Sequence, residues 1–418
     1  MQRIHIIGGG LAGFTAAITA AESGALVTVH EAHHTLGGRA RTAEGPYRTN
    51  EGPHALYRRG PHWTWLDRRN LLGPTTTVAP PEATRLRFRH RGTLHRVPPL
   101  ALLRLSRRDA TRVPADTDFR TWATAQIGEA GARAAANYAA VALFHHDPGS
   151  LSAAFVQERL HRAGALPPEA RYPVGGWDGI IDRMASRAWN LSVRIETAAR
   201  VDTAALDALA RTGPVVVATS LDSARALLGD PGLTWPSGRT ALIDLALRTR
   251  RGDAFAVSDL DAPGWIERFT AQDRTLAPAG EQLLQGQIPI APDEPRDTGT
   301  ARAEELLDLG FPGWRERTVW RREALATGRT GAVDHPGSTW RDRPAIDRGN
   351  GIYLAGDQVA APGLLSEVSF NSGIEAALLA LGATGDGNRT GHRPPAARNH
   401  TSARNRTPAG TPLDLKRT

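Results

Sequence analysis

A chain of 418 residues is too long for one simple core and fits two to three domains. With 40% hydrophobic and 22% charged residues it has the balance of an ordinary globular protein, and the lack of cysteine excludes disulfides, thiolate metal sites, a cysteine nucleophile and cofactor attachment through sulfur. The formal charge of +8 does not signal nucleic acid: from Gly385 onward seven basic residues face two acidic ones, Lys416 is the only lysine, and no stripe of basic and aromatic residues occurs.

The chain opens strand, turn, helix, strand. Ile4, Ile6 and Ile7 form an apolar run ending in Gly8-Gly9-Gly10; an alanine-rich helix is predicted from about Leu11 to Ser23, closed by Gly24. A second strand, Ala25 to Val29, leads to His30-Glu31. In Gly8-x-Gly10-x-x-Gly13 the first glycine permits the tight turn, the second lets the backbone approach a pyrophosphate, and the third lets the helix pack on the sheet. The amides that open the helix, around Leu11 and Ala12, then face the phosphates with the positive end of the helix dipole. Glu31, eighteen residues after Gly13, is placed to accept from the adenosine ribose hydroxyls, and its charge disfavours a 2′-phosphate and so NADP. A strand beginning at Ile4 leaves no room for a cleavable signal peptide, and no run of about 18 apolar residues occurs, so a cytoplasmic location is expected.

Next comes Leu36-Gly37-Gly38-Arg39-Ala40-Arg41, followed by Asn50-Glu-Gly-Pro-His54. The glycine pair permits close backbone approach, and Arg39 can neutralise a diphosphate, a second phosphate-facing loop for which a plain NAD domain has no need. Read singly, these residues also fit a surface turn with solvated arginines. Residues 76–171 change in texture: a strand-like Arg85 to Val97, a Pro/Leu patch, and an alanine-rich helical stretch from Phe119 to Phe144. The patch Val97 to Leu105, flanked by Arg96, Arg104, Arg107 and Arg108, reads either as a membrane-surface contact or, preferably, as a core helix. His33-His34 and His145-His146 are neighbours in sequence, which a helix points apart, so no metal site is expected.

The sequence returns to α/β texture at Tyr172-Pro-Val-Gly-Gly-Trp177. A helix is expected from Ile180 to Ala188, strands at Leu191 to Glu196 and Pro214 to Thr219. Residues 231–334 hold strand-like runs such as Thr240 to Leu247 and a helix near Ala301 to Leu309. A last strand, Gly351 to Ala355, ends in Gly356-Asp357, and a helix is expected from about Ser372 to Leu381. Asp357 suits the ribityl or phosphate region of a flavin nucleotide, or a helix cap, and the amides near Leu364 and Leu365 are placed for the flavin pyrimidine edge. The 385–418 tail is rich in Pro, Gly, Asn, Thr and Arg and reads as disordered.

Together the glycine motif, the 36–42 loop, the 351–377 segment and Tyr172 to Val201 resemble the superfamily of flavin-containing amine oxidases, protoporphyrinogen oxidases and phytoene desaturases, nearest the phytoene desaturase-like branch. The resemblance covers most of residues 1–384 and is weakest in the middle. It implies FAD as cofactor, Gly52 and Pro53 beside the isoalloxazine, Val201 near the adenine and Thr219 in the central sheet. One departure stands out: amine oxidases of this group usually hold a lysine near the flavin N5, and none precedes Lys416. That favours desaturase-like or protoporphyrinogen-oxidase-like chemistry.

The expected fold is α/β, a Rossmann-like, glutathione-reductase-type FAD domain (1–75, 172–230 and 335–384) with an inserted mixed α+β substrate domain (76–171 and 231–334). The expected activity is an FAD-dependent oxidoreductase taking hydride from a C–C or C–N unit of a small, partly apolar molecule, with oxygen or a quinone as final acceptor. His54, as a base, Glu367, as a group orienting substrate or flavin, and Tyr57 are the catalytic candidates; His54 and Glu367 also read as packing or hydrogen-bonding residues. A non-redox flavin isomerase and a flavin-free escort protein of the same fold are the alternatives.

Overall fold

The computed structural model describes residues 1–52 and 55–382. Five short strands rich in Val and Ile form a wholly parallel sheet in the order Ile352–Leu354, Val215–Val217, Arg3–Ile7, Leu26–His30, Arg194–Glu196. Such strands are covered on both faces, which is why Ile4, Ile6, Val29, Val215 and Val216 are fully buried. Helix Leu11–Glu22 crosses from the first strand to the second; Asp178–Asn190 and Ser366–Gly382 pack against it. Two glycines permit that packing: a Cβ on Gly13 would lie 1.9 Å from the Gly8 carbonyl oxygen, and one on Gly373 would lie 2.6 Å from that of Ala12. This is the Rossmann-like α/β architecture expected from the sequence.

A second, seven-stranded sheet runs Thr318–Ala332, Ser237–Arg248, Glu281–Pro289, Gly264–Arg268, Ala256–Asp259, Leu86–His90, Thr93–His95. It is antiparallel except where Ala256–Asp259 meets Leu86–His90. Helix Arg296–Gly310 covers one of its faces. Helices Leu100–Ser106, Phe119–Ile127, Glu129–Leu143 and Ala153–Ala163 form a cluster of their own. A three-stranded sheet of Leu56–Tyr57, Ala170–Pro173 and Thr75–Thr76 ties the 55–57 segment to the chain that re-enters the parallel sheet.

Several boundaries differ from the sequence reading. The Phe119 to Phe144 stretch is two helices, parted at Gly128, whose φ of +77° a helix cannot hold. The closing helix starts at Ser366, because Glu367 and Val368 already make helical-turn bonds to Leu364 and Leu365. Thr219 lies past the end of the Val215–Val217 strand, beside the glycine turn, instead of within the sheet. In the Pro/Leu patch, Leu102 and Leu105 are buried while Val97 and Leu100 remain exposed. Among the described residues no helix is long and apolar enough to cross a membrane. Pro53, His54 and the 385–418 tail lie outside the described residues.

Candidate functional site

The site begins where the first strand ends. Gly8 turns at φ +111°, and a Cβ there would lie 2.6 Å from the Ala218 carbonyl oxygen, so only glycine fits. The helix that follows has Gly10 as N-cap, no capping side chain and no acid in its first turn. Its first N–H groups, near Leu11 and Ala12, and its dipole are therefore uncompensated by side chains, the state of a helix end built to meet an anion.

The second loop lies directly against the first. The Gly37 N–H donates to the Gly9 carbonyl at 2.8 Å, Gly10 and Gly37 form an isolated bridge, and Gly37 and Gly38 both take positive φ. A Cβ on Gly38 would come 3.7 Å from the Gly10 Cα. Glu31 locks the pair of loops in place: Oε2 accepts the Gly9 N–H at 2.7 Å, and Oε1 accepts the His33 N–H at 2.9 Å and faces the His33 Nδ1 at 2.8 Å. Burial pushes the Glu31 carboxyl up, but these donors outweigh it and hold the group below its usual range. His33 thus serves the carboxylate, and among the described residues no cluster of three or more His, Cys, Asp or Glu could hold a metal. Val201 is half-buried just beyond Ala198 and Ala199, whose amides bond to the His33 and Glu31 carbonyls.

The third segment closes over the other two. Arg39 donates to Asp357 through both terminal nitrogens, at 2.6 and 2.7 Å, joining the second glycine loop to the end of strand Ile352–Leu354. Gly356 is pinned by Ser372, whose hydroxyl accepts its N–H at 2.9 Å. Leu365 sits in the left-handed region at φ +53°, uncommon for a branched side chain and typical of strained functional loops.

Glu367 is held differently from a free acid. Its carboxylate accepts both terminal nitrogens of Arg162, at 2.8 and 2.7 Å, and the Leu364 N–H at 3.0 Å. Burial pushes the Glu367 carboxyl up while Arg162 pulls it back. The Leu364 amide is accordingly occupied within the protein. Tyr57 lies beneath the same arginine, ring centroid 5.3 Å from the guanidinium carbon, and burial raises its hydroxyl above the ordinary range. Gly52 has open space where a Cβ would stand.

Sequence reasoning passed over a polar group that the fold brings to the 49–52 segment. Arg322 and the Gln285 amide both reach the Asn50 carbonyl at 3.4 Å, and both bond to Asp244. Asn50 Nδ2 and Thr49 Oγ1 are buried without partners. Thr42 braces the segment, donating to Asn50 Oδ1 at 2.8 Å and accepting the Trp177 N–H at 2.8 Å. The signal was present: Asp244 is the lone acid within the apolar run Ala241 to Leu247. A separate cavity of about 530 Å³ is lined by His145, His146, Arg225, Trp235 and Gln358 among others; of its lining, Leu221 and Gln358 also border the small cleft at Thr219, Gly356 and Asp357. The glycine loops therefore mark the site better than the cavity does.

The sequence profile of NAD(P)-binding Rossmann-like domains matches residues 6–72. No curated protein matches the sequence. Among solved structures, the chain is similar to an oxidoreductase from Methanosarcina mazei at 17% identity and a TM-score of 0.70, over 90% of this chain and 100% of that one. It is similar to cyclohexylamine oxidase from Brevibacterium oxydans at 17% identity and a TM-score of 0.64, over 92% and 100%. A reduced UDP-galactopyranose mutase shares the fold at 15% identity and a TM-score of 0.64, over 92% and 95%.

Proposed function

We propose that this chain, whose fold is that of the FAD-dependent amine-oxidase-like superfamily, is an FAD-dependent oxidoreductase that takes hydride from a C–C or C–N unit of a small organic molecule. The observation that carries the reading is the convergence of an uncapped helix N-terminus, two interlocked glycine loops and the Arg39–Asp357 clamp at the ends of parallel strands. The residues fit the cofactor on two further counts. At Gly8 and Gly13 a Cβ would clash with backbone, which fixes the turn and the helix start, and Asn50 Nδ2 and Thr49 Oγ1 are buried donors still lacking acceptors.

In this reading the helix amides at Leu11 and Ala12 hold the pyrophosphate, with Arg39 neutralising it and Asp357 orienting the arginine. Glu31, kept ionised by Gly9 and His33, accepts from the ribose, and the backbone near Val201 lies by the adenine. Segment 49–52 runs along the flavin ring, with Gly52 leaving it room. Leu365 borders its pyrimidine edge. FAD, when bound, supplies the two-electron acceptor, and oxygen or a quinone takes the electrons onward. The protein positions the substrate carbon, excludes water and manages a proton. Glu367 and Tyr57 act in that scheme as positioning residues, since Arg162 already holds both.

The likeness to a UDP-galactopyranose mutase favours one second reading, an isomerase with the same cofactor and no net redox change. Product analysis separates the two: a substrate recovered at its original oxidation state identifies the isomerase. The cofactor assignment is tested by Glu31→Ala and Gly10→Val, which are expected to purify with less than about a tenth of the wild-type flavin, a loss of more than about 1.4 kcal/mol in binding. Full flavin content in both variants contradicts it.

A further inference from the structure

The seven-stranded sheet has two unlike faces. Ala241, Ile243, Gly286, Ile266 and Val257 pack on helix Arg296–Gly310. With a side-chain period of two, their neighbours Asp244, Gln285 and Glu267 project from the opposite face. The strand register sets Arg322, Asp244, Gln285 and Glu267 side by side on four consecutive strands, about 4.8 Å apart from one to the next. Asp244 and Gln285 are 1% exposed and Glu267 is 6% exposed. A polar row this deep is costly unless its members are paired or await a partner.

Three members are accounted for. Arg322 pairs with Asp244, Gln285 donates to Asp244 at 2.7 Å, and Arg322 and Gln285 both touch the Asn50 carbonyl. The row therefore lies against the segment assigned above to the flavin ring.

Glu267 is the exception. Oε1 accepts the Tyr172 hydroxyl at 2.8 Å and Gln272 Nε2 at 2.6 Å, and Oε2 accepts Trp265 Nε1 at 2.8 Å. All three donors are neutral. Among the other deeply buried acids, Asp244, Asp253, Asp259, Glu169, Asp334 and Glu367 each meet an arginine, Glu31 meets His33, and Asp273 is held by amides and the Thr275 hydroxyl; no Arg or His pairs with Glu267 among the described residues. Unpartnered polar atoms gather beside it: Gln272 Oε1, on the side chain that donates to it, and Ser258 Oγ, cross-strand from Trp265. Burial pushes the Glu267 carboxyl up, with the Trp265, Tyr172 and Gln272 bonds pulling the other way. An arriving cation would complete the ionised form.

We propose that Glu267 is a specificity-determining residue of this site: its carboxylate, framed by Tyr172 and Trp265 and lacking a cation of its own, receives a positively charged nitrogen of the substrate. The inference rests on the functional reading above and narrows its substrate from a C–C or C–N unit to a cationic C–N compound.

The test compares benzamidinium with benzamide, its neutral near-isostere, neither of which has a hydrogen on the carbon attached to nitrogen to lose. Binding to the flavin-loaded wild type near neutral pH is followed by flavin difference absorbance and calorimetry. The cation is expected to bind at least about tenfold more tightly. Glu267→Gln should reduce the cation's advantage to less than about twofold, read as the ratio of the two affinities in the same flavin-loaded variant. Equal affinities in the wild type, or a preference that survives Glu267→Gln, overturn the proposal. The wild-type comparison stands even if the variant folds poorly. A protein that neither carries nor binds FAD defeats the functional reading, whereas a flavin-loaded protein indifferent to charge defeats this inference alone.

Discussion

At the scale of single residues the glycine loops leave little freedom. Gly13→Ala places a methyl 1.9 Å from the Gly8 carbonyl oxygen, where the obstacle is backbone and cannot swing aside. Overpacking of this kind costs about 1–3 kcal/mol, so the melting temperature of Gly13→Ala should fall by several degrees. An unchanged melt would mean that helix Leu11–Glu22 is not seated this closely. The Arg39–Asp357 pair is a different case. Its arginine is 36% exposed, which lowers the worth of the pair to about 1 kcal/mol of stability. Arg39→Ala should therefore melt almost like wild type yet bind FAD at least about tenfold more weakly, because the diphosphate loses its counter-charge. A titration of apoprotein with FAD reads the difference, and an unaltered Kd would remove Arg39 from the site.

At the scale of elements, legibility depended on how far apart the cooperating residues lie. The strand, glycine turn and helix at the amino end were readable because each requirement is carried by the residue that meets it: β-branched residues for a buried strand, glycine where φ is positive, alanine for a tight helix. The polar row was not readable, since Arg322, Asp244, Gln285 and Glu267 become neighbours only through a strand register set by distant pairings. Boundaries failed for a local reason. Alanine-rich sequence reads as continuous helix until a single glycine at 128 turns it, and Ser366 precedes the apolar stretch that marked the closing helix. Helix Pro61–Asp67 offers a pH test at this scale. Its His62 is fully buried, Nε2–H donates to the Tyr57 carbonyl at 2.8 Å, and Nδ1 has no partner, so burial lowers its pKa from 6.5 to about 4. The unfolded chain then takes up a proton before the folded one does. The contribution of His62 is fully present above pH 6.5 and is lost as pH falls from there toward about 4. Denaturant titrations across that window should show a shallower decline for His62→Gln than for wild type. Equal slopes would mean that His62 is protonated in the folded state.

At the scale of the whole molecule, two sheets divide the work. The parallel sheet gathers three loops at its carboxyl ends, as open α/β sheets do for their ligands. The antiparallel sheet turns one apolar face to a helix and one polar face toward segment 49–52. This explains why the fold class was legible from a few motifs, while the polar face of the second sheet, built from the long middle of the chain, was not. Asp244→Asn tests the coupling of the two sheets, since it removes the charge that holds Arg322 against the Asn50 carbonyl. The expected result is a shifted flavin absorption spectrum with bound flavin retained; an unshifted spectrum would detach this row from the cofactor. The most direct test of the account as a whole is the visible absorption spectrum of the purified protein, followed by denaturation and identification of what is released. The account predicts a two-banded flavin spectrum and intact FAD in the supernatant. A colourless protein that also fails to bind added FAD would contradict it.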